Sequence, residues 1–280
     1  MSKTVSLINM KGGVGKSTLT VNLAWHLAAY ADWKCKVLVV DLDPQFNASQ
    51  YLMGVTAYEN MLKKNDQTVW DIFEQGTRLP GNTTKEIDLS SLIQNITTRR
   101  NGGKVDLIAS RLELSLSLKN PGQKERKLSK LLRAIQEQYD LILIDCAPTE
   151  SILTTAAYLS SDYLLVPVKP EYLSSIGLPL LVNSMTDFTQ EYSEHHLELL
   201  GIIFNATTQY TPEEELSKRN VRRIAASNQW NVFKSEIPFS RSYPKGAREG
   251  QPIFRTSYSR SSQVWYFENF AREFARMVKL

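Results

Sequence analysis

The chain has 280 residues, 42% hydrophobic and 22% charged, with a modest formal net charge of +4 and two cysteines. That length accommodates one large domain or two small ones. No apolar run approaches the roughly 20 residues of a membrane helix, no leader-like segment precedes the first apolar run, and Cys35 and Cys146 form no C-x-x-C pair, which argues against a membrane span, a disulfide framework and a zinc site.

Residues 4–9 are a short apolar run predicted as a strand, and residues 17–31 carry a helical pattern. Between them runs Asn9-Met10-Lys11-Gly12-Gly13-Val14-Gly15-Lys16-Ser17-Thr18, and strand, glycine-rich loop and helix in that order are the context of a phosphate-binding loop. The match to G-x-x-x-x-G-K-[ST] is loosened, because Lys11 stands where the first glycine would be. Successive N–H groups from Gly12 through Gly13, Val14, Gly15 and Lys16 to Ser17, with Thr18 following, would cradle phosphate oxygens at the positive end of the helix. Lys16 would reach the β- and γ-phosphates, and the Ser17 hydroxyl would ligate Mg²⁺, a hard ion that prefers oxygen. Lys11 is a second lysine that an ordinary loop does not need.

A predicted strand at 36–41 ends in Asp41-Leu42-Asp43-Pro44-Gln45, placing two carboxylates beyond its carboxyl end, where open α/β sheets bind ligands. One of them is suited to orient or deprotonate water. Residues 54–104 are polar, contain Pro80-Gly81 and Gly102-Gly103, and read as an irregular excursion from the sheet. A strand follows at 105–109, a helical pattern at 124–138, and a strand at 141–145 ending in Asp145, the pattern of a carboxylate that holds Mg²⁺, often through water. Beyond it lie a helical pattern at 152–160, strands at 163–167 and 199–205 with a helical pattern at 173–191 between them, a helix at 212–227, a strand at 232–237 and a terminal helix at 262–279. The helix at 212 opens on Thr211-Pro212-Glu213-Glu214, an N-cap, a proline at the first helical position and a capping-box glutamate. This alternation predicts an α/β fold over residues 1–280, a single domain with a mostly parallel twisted sheet and helices on both faces.

These motifs resemble the ParA/Soj/MinD family of deviant Walker-A ATPases. The resemblance is carried by Lys11-Gly-Gly-Val-Gly-Lys-Ser-Thr, Asp41-Leu-Asp-Pro-Gln, Asp145-Cys-Ala-Pro, Val166-Pro-Val-Lys-Pro-Glu-Tyr-Leu and Ile237-Pro, and it spans nearly the whole chain outside 54–104. It implies ATP and Mg²⁺ as cofactors, with Lys11 as the signature lysine that crosses to a partner subunit's phosphates in an ATP-bound dimer. It further implies Lys16 as the lysine acting in its own subunit, Ser17 and Asp145 on the metal, and Asp43 positioning the attacking water. Asp41 matches a site residue of less distinct role, Asn205 an adenine-facing asparagine, and the turn after Pro238 a segment closing over the base. A second cation delivered by a partner is sound chemistry, because phosphoryl transfer is catalysed mainly by positioning and charge neutralisation.

The basic character concentrates toward the end of the chain, where residues from Gly201 onward hold 13 Lys and Arg against 7 Asp and Glu. Lys218, Arg219, Arg222 and Arg223 share a stripe of the helix at 212–227 suited to phosphates, and Arg248 is a further candidate. The resemblance implies nonspecific DNA binding by the ATP homodimer, a cargo-side activator of ParB type and a cytoplasmic, nucleoid-associated location. An operator-binding extension ahead of the loop is not expected. The alternative is a MinD-like membrane switch anchored by the aromatic C-terminal segment, against which Val264, Phe267, Phe270, Phe274 and Val278 keep the spacing of a core-facing helix. Cysteines placed for an iron–sulfur reductase and a tyrosine cluster for a kinase are both lacking.

Overall fold

The computed structural model describes residues 2–29, 33–74, 86–118, 124–171, 174–208 and 211–280. Its strands are β1 (Lys3–Leu7), β2 (Lys36–Leu42), β3 (Ile93–Thr98), β4 (Lys104–Ile108), β5 (Leu141–Cys146), β6 (Tyr163–Val168), β7 (Glu198–Thr207) and β8 (Val232–Pro238). The helices are α1 (Lys16–Ala29), α2 (Asn47–Met53), α3 (Val55–Lys63), α4 (Val69–Glu74), α5 (Leu89–Leu92), α6 (Glu125–Ile135), α7 (Ile152–Ser160), α8 (Ser174–Glu191), α9 (Pro212–Ser227), α10 (Ser242–Glu249) and α11 (Ser261–Val278).

The eight strands form one sheet in the order β3-β4-β2-β5-β1-β6-β7-β8. Every pairing is parallel except β3 against β4. Short apolar runs form these strands because a parallel sheet is buried on both faces, so successive side chains enter different cores. In β2, Val37 and Val39 join the core beneath α1, α2, α3 and α11, while Leu38 and Val40 join the one beneath α4, α6, α7 and α9. Leu141 and Leu143 of β5 and their neighbours Ile142 and Ile144 divide the same way.

The excursion at 54–104 is not irregular. Its described residues contain α3, α4, α5 and the edge strand β3, with Pro80-Gly81 lying outside the described residues. Polarity hid these elements: β3 is half-buried along its length, with Ile93-Gln-Asn-Ile-Thr-Thr in place of a continuous apolar run. Gly103 carries no side chain for a specific reason, since a Cβ there would run into the Ala28 carbonyl at the end of α1. The far ends of the helical patterns at 17–31 and 173–191 also touch positions outside the described residues, namely Ala31 and Leu173.

At the opposite edge, β8 is blunted by a carboxylate. Glu273 of α11 accepts from the Lys234 and Ser235 amides at 2.8 and 2.9 Å, occupying donors that a stray strand would otherwise pair with. The apolar stripe of α11 packs inward, with Phe267, Phe270, Phe274 and Val278 buried in the core. Among the described residues no helix is long and apolar enough to cross a membrane.

Candidate phosphate-loop site

β1 and β6 carry the phosphate loop between them. Asn9, just past β1, donates through Nδ2 to the Pro167 carbonyl at 2.8 Å and accepts from the Lys11 amide at 2.9 Å, pinning the start of the loop. Lys16 is buried and donates to the Asn9 and Lys11 carbonyls at 3.0 and 3.2 Å. Burial pulls its ammonium below the ordinary lysine range, against the attraction of Asp145, Cys146 and Asp43, so a phosphate arriving there meets a charge it can neutralise. Gly12 and Gly13 are exposed, and α1 begins at Lys16, so its first amides face this loop as the sequence requires.

Lys11 takes a different course from Lys16. It is part-exposed and pairs with Glu171 at 3.3 Å, and Glu171 also pairs with Lys169. The two lysines of the loop are thus separated by structure, one aimed inward and one lying on the surface. Tyr172 and Leu173, which end the motif after Val166, lie outside the described residues.

Asn205 sits at the back of the loop. Its Nδ2 donates to the Val14 carbonyl at 2.7 Å, and Gly15, at φ 90°, has no room for a Cβ against that amide. The amide donor expected to face a base is therefore spent on the loop itself. Pro238 ends β8 and is buried beside Thr207 of β7.

Asp41 and Asp145 are neighbours in register on β2 and β5, both fully buried. Neither Asp145 oxygen finds a hydrogen-bond partner of good geometry, though the Ser17 hydroxyl approaches and tempers an otherwise strongly raised carboxyl, raised first by burial and then by Asp41. An orphaned buried carboxylate beside a hydroxyl fits a cation. Among the described residues no group of three His, Cys, Asp or Glu side chains would hold an ion unaided, which suits Mg²⁺ completed by phosphate and water. Burial raises the Asp41 carboxyl to about 7, against the lowering pull of its hydrogen bonds from Ser49 and Asp43. Asp43 lies two residues on, and its carboxylate accepts from the Gln45 amide at 2.9 Å.

The basic stripe of α9 is corrected at one position. Lys218 is buried, 2.8 Å from Glu236, 3.1 Å from Glu214 and 3.5 Å from Glu215, so it holds a core ion-pair cluster and presents nothing to a polyanion. Burial lowers its ammonium, but the bonds to Glu236 and Glu214 outweigh that and raise it. Glu214 also departs from the capping-box pattern. The Thr211 hydroxyl does cap α9, yet the Glu214 carboxylate reaches back to the Thr208 amide and hydroxyl at 2.9 and 2.6 Å. Arg219 and Arg223 are exposed, and Arg222 is half-exposed over the Phe204 ring with a 3.4 Å contact to Glu236. Arg248 is exposed on α10, where Arg241, Lys245 and Arg260 line the same cavity.

Sequence reading missed Asn9, Ser49 and Ser110. Asn9 had a local signal, as a polar residue closing an apolar strand, whereas the serines had none. They matter only because the fold brings residues 49 and 110 together.

A family model described as an AAA domain matches residues 2–199. An uncharacterized protein of Methanocaldococcus jannaschii is 30% identical over 267 residues, covering 94% of this chain and 95% of its own. The chromosome-partitioning ATPase Soj of Treponema pallidum is 29% identical, covering 98% of this chain and 97% of its own. Among solved structures, the ATP complex of a variant McdA from Cyanothece superposes with a TM-score of 0.78 at 18% identity, covering 98% of this chain and 96% of that one, a likeness of fold. With its two-lysine phosphate loop, its paired acids after β2 and its buried acid on β5, the chain belongs to the AAA-domain family, in the ParA/Soj/MinD group of deviant Walker-A ATPases.

Proposed function

We propose that this protein is a Mg²⁺-dependent ATPase that dimerises on ATP, binds DNA without sequence preference as the dimer, and so positions a cargo, with hydrolysis stimulated by a cargo-side, ParB-like partner. The observation that carries this reading is the division between the loop lysines, Lys16 buried under the loop and Lys11 on the surface. A cation at Lys11 reaching a partner's γ-phosphate makes ATP occupancy and dimerisation one event, and hydrolysis then removes the differential affinity that held the dimer closed. The bound Mg²⁺, held by Ser17 and Asp145, would neutralise charge on the phosphates. Asp43 is placed to orient water, and Asp41 braces the Asp43 loop.

The name of the Treponema pallidum relative, a chromosome-partitioning ATPase, supports a positioning role. Support for DNA as the matrix comes from the exposed Arg219, Arg222 and Arg223, joined by Arg248. The membrane alternative loses support because the apolar face of α11 is already buried.

Sedimentation velocity with ATP and Mg²⁺ or with ADP, alone and with unrelated linear DNA, tests this reading. Dimers and salt-sensitive DNA binding in the ATP state alone are expected, with Asp43→Ala accumulating the ATP dimer. Monomers in every nucleotide state would refute it, and normal turnover in Asp43→Ala would remove that residue's assigned role.

A further inference from the structure

The loop that bears Asp43 is closed into a ring of contacts that reaches deep into the excursion. The Asp43 amide donates to Asp41 Oδ1 at 3.2 Å. The other Asp41 oxygen accepts from both the Ser49 amide and the Ser49 hydroxyl, at 2.7 and 2.6 Å. Ser49 Oγ in turn accepts from the Ser110 amide at 2.9 Å, and the Ser110 carbonyl accepts from the Tyr58 hydroxyl at 3.0 Å. The Tyr58 ring stacks on Phe46 with centroids 5.2 Å apart and planes 16° from parallel. The Phe46 amide donates to the Asp43 carbonyl at 2.8 Å, which returns the circuit to its start.

Each member is held from two sides. Asp41, Ser49 and Ser110 are fully buried and Tyr58 is 3% exposed, so water competes little with these bonds. Phe46 has φ 46°, a left-handed conformation that a non-glycine residue keeps only where its surroundings over-determine it. The stack on Tyr58 and the bond to Asp43 supply that constraint. The short segment from Asp43 to Phe46 therefore has its backbone fixed at both ends, by Asp41 on one side and by Phe46 on the other.

We propose that Ser49 and Tyr58 are positioning residues for Asp43, and that α3 forms part of the support of the hydrolytic site. Ser49 holds the Asp41 carboxylate in the one orientation that accepts from the Asp43 amide, and Tyr58 fixes Phe46 and the Ser110 strand end together. Neither touches a position that substrate would occupy. This inference rests on the ATPase reading for its consequence in turnover, but the ring is a property of the fold. It also gives the excursion a role, since a partner pressing on α3 would reach the water-positioning loop through one aromatic ring and one hydroxyl.

The test uses the full chain and three readouts: steady-state ATP hydrolysis, equilibrium binding of a fluorescent ATP analogue, and hydrogen exchange of a peptide spanning 41–46. Ser49→Ala should lower kcat on the order of tenfold or more while leaving nucleotide affinity within about twofold, because misplacing a water-orienting group costs turnover more than binding. It should also speed exchange of the Asp43 and Phe46 amides by about tenfold, as expected for a lost local constraint. Ser49→Thr keeps the hydroxyl and should restore both. Tyr58→Phe keeps the ring and tests the circuit from its far side, with a smaller loss that does not add to that of Ser49→Ala. The proposal is overturned if Ser49→Thr is as slow as Ser49→Ala, if exchange at 43–46 is unchanged, or if the two losses simply add. A wild-type protein that does not hydrolyse ATP would defeat the ATPase reading alone, and the exchange measurement would still decide the positioning.

Discussion

Lys11 Nζ lies 3.3 Å from the Glu171 carboxylate, so the lysine proposed to act on a partner's phosphates is paired within its own subunit. Hydrogen bonds from Lys169 and then Lys11 hold the Glu171 carboxyl below the usual range. With side chains 27% and 47% exposed, the pair is worth about 0.2–1 kcal/mol. Glu171→Gln should therefore release Lys11 cheaply and tighten ATP-dependent dimerisation by up to about fivefold, read by sedimentation velocity across concentration. Lys11→Ala should abolish the ATP dimer while retaining ATP binding, and dimers of that variant in light scattering would contradict the role.

A second prediction concerns the back of the phosphate loop. Asn205→Ala leaves the buried Val14 carbonyl without its 2.7 Å donor, an unsatisfied acceptor beside the cradle. The expected cost of about 1–2 kcal/mol should appear as roughly a tenfold weaker ATP affinity in calorimetry, with little loss of thermal stability. Gly15→Ala should be more severe, because its φ of 90° resists a side chain and its Cβ would overlap the Asn205 amide. Unchanged affinity in both variants would mean that the loop does not depend on this brace.

Much of this site was legible because it is local. The strand, loop and helix of the phosphate loop lie within residues 3–29, and Asp41 and Asp145 each close an apolar strand, so one stretch of sequence displays each part. All seven expected strands occur, since short apolar runs bounded by turn residues are what a doubly covered parallel sheet demands. Nonlocal features were not legible. The edge strand β3 is half-buried and polar, and its identity is set by pairing with β4. Helical spacing put Lys218 on the same stripe as Arg219 and Arg222, but only the fold brings Glu236 of β8 against it. The Asn205 amide reads as a ligand contact in sequence and becomes a brace once β7 is laid behind the loop.

The basic residues of α9 should separate into two classes. Lys218→Ala strips a buried cation from Glu214, itself 4% exposed, and should destabilise the fold by about 2 kcal/mol or more, measured by urea unfolding. Arg219→Ala with Arg223→Ala removes exposed charges that make no ion pair among the described residues and should leave stability within about 0.5 kcal/mol. That pair should instead weaken DNA binding across unrelated sequences and lower the salt slope by about 2, one for each neutralised phosphate lost. Equal DNA affinity in the double variant would move the interface elsewhere, with Arg248 and its neighbours on α10 the next surface to change.

A fourth prediction follows from His26, which is buried on α1 among the rings of Trp33, Phe254 and Phe267 at centroid distances of 5.7, 6.0 and 5.9 Å. Burial depresses its imidazole to about 4, with Glu268 pulling upward and Arg272 downward from α11. The folded value lies below the unfolded one near 6.5, so between those values the unfolded chain binds more protons than the folded one. Stability is therefore full above the unfolded value and is lost as pH falls toward 4, with about 2 kcal/mol gone between roughly pH 7 and 5 from this residue. Urea unfolding of the wild type and His26→Gln at both pH values isolates the effect, because the other titrating groups are shared. The variant should begin less stable at neutral pH, having lost the ring contacts, yet show a smaller decline on acidification. Parallel declines in the two proteins would show that His26 titrates normally and that acid sensitivity arises elsewhere, with the buried Asp41 and Asp145 the groups to examine next.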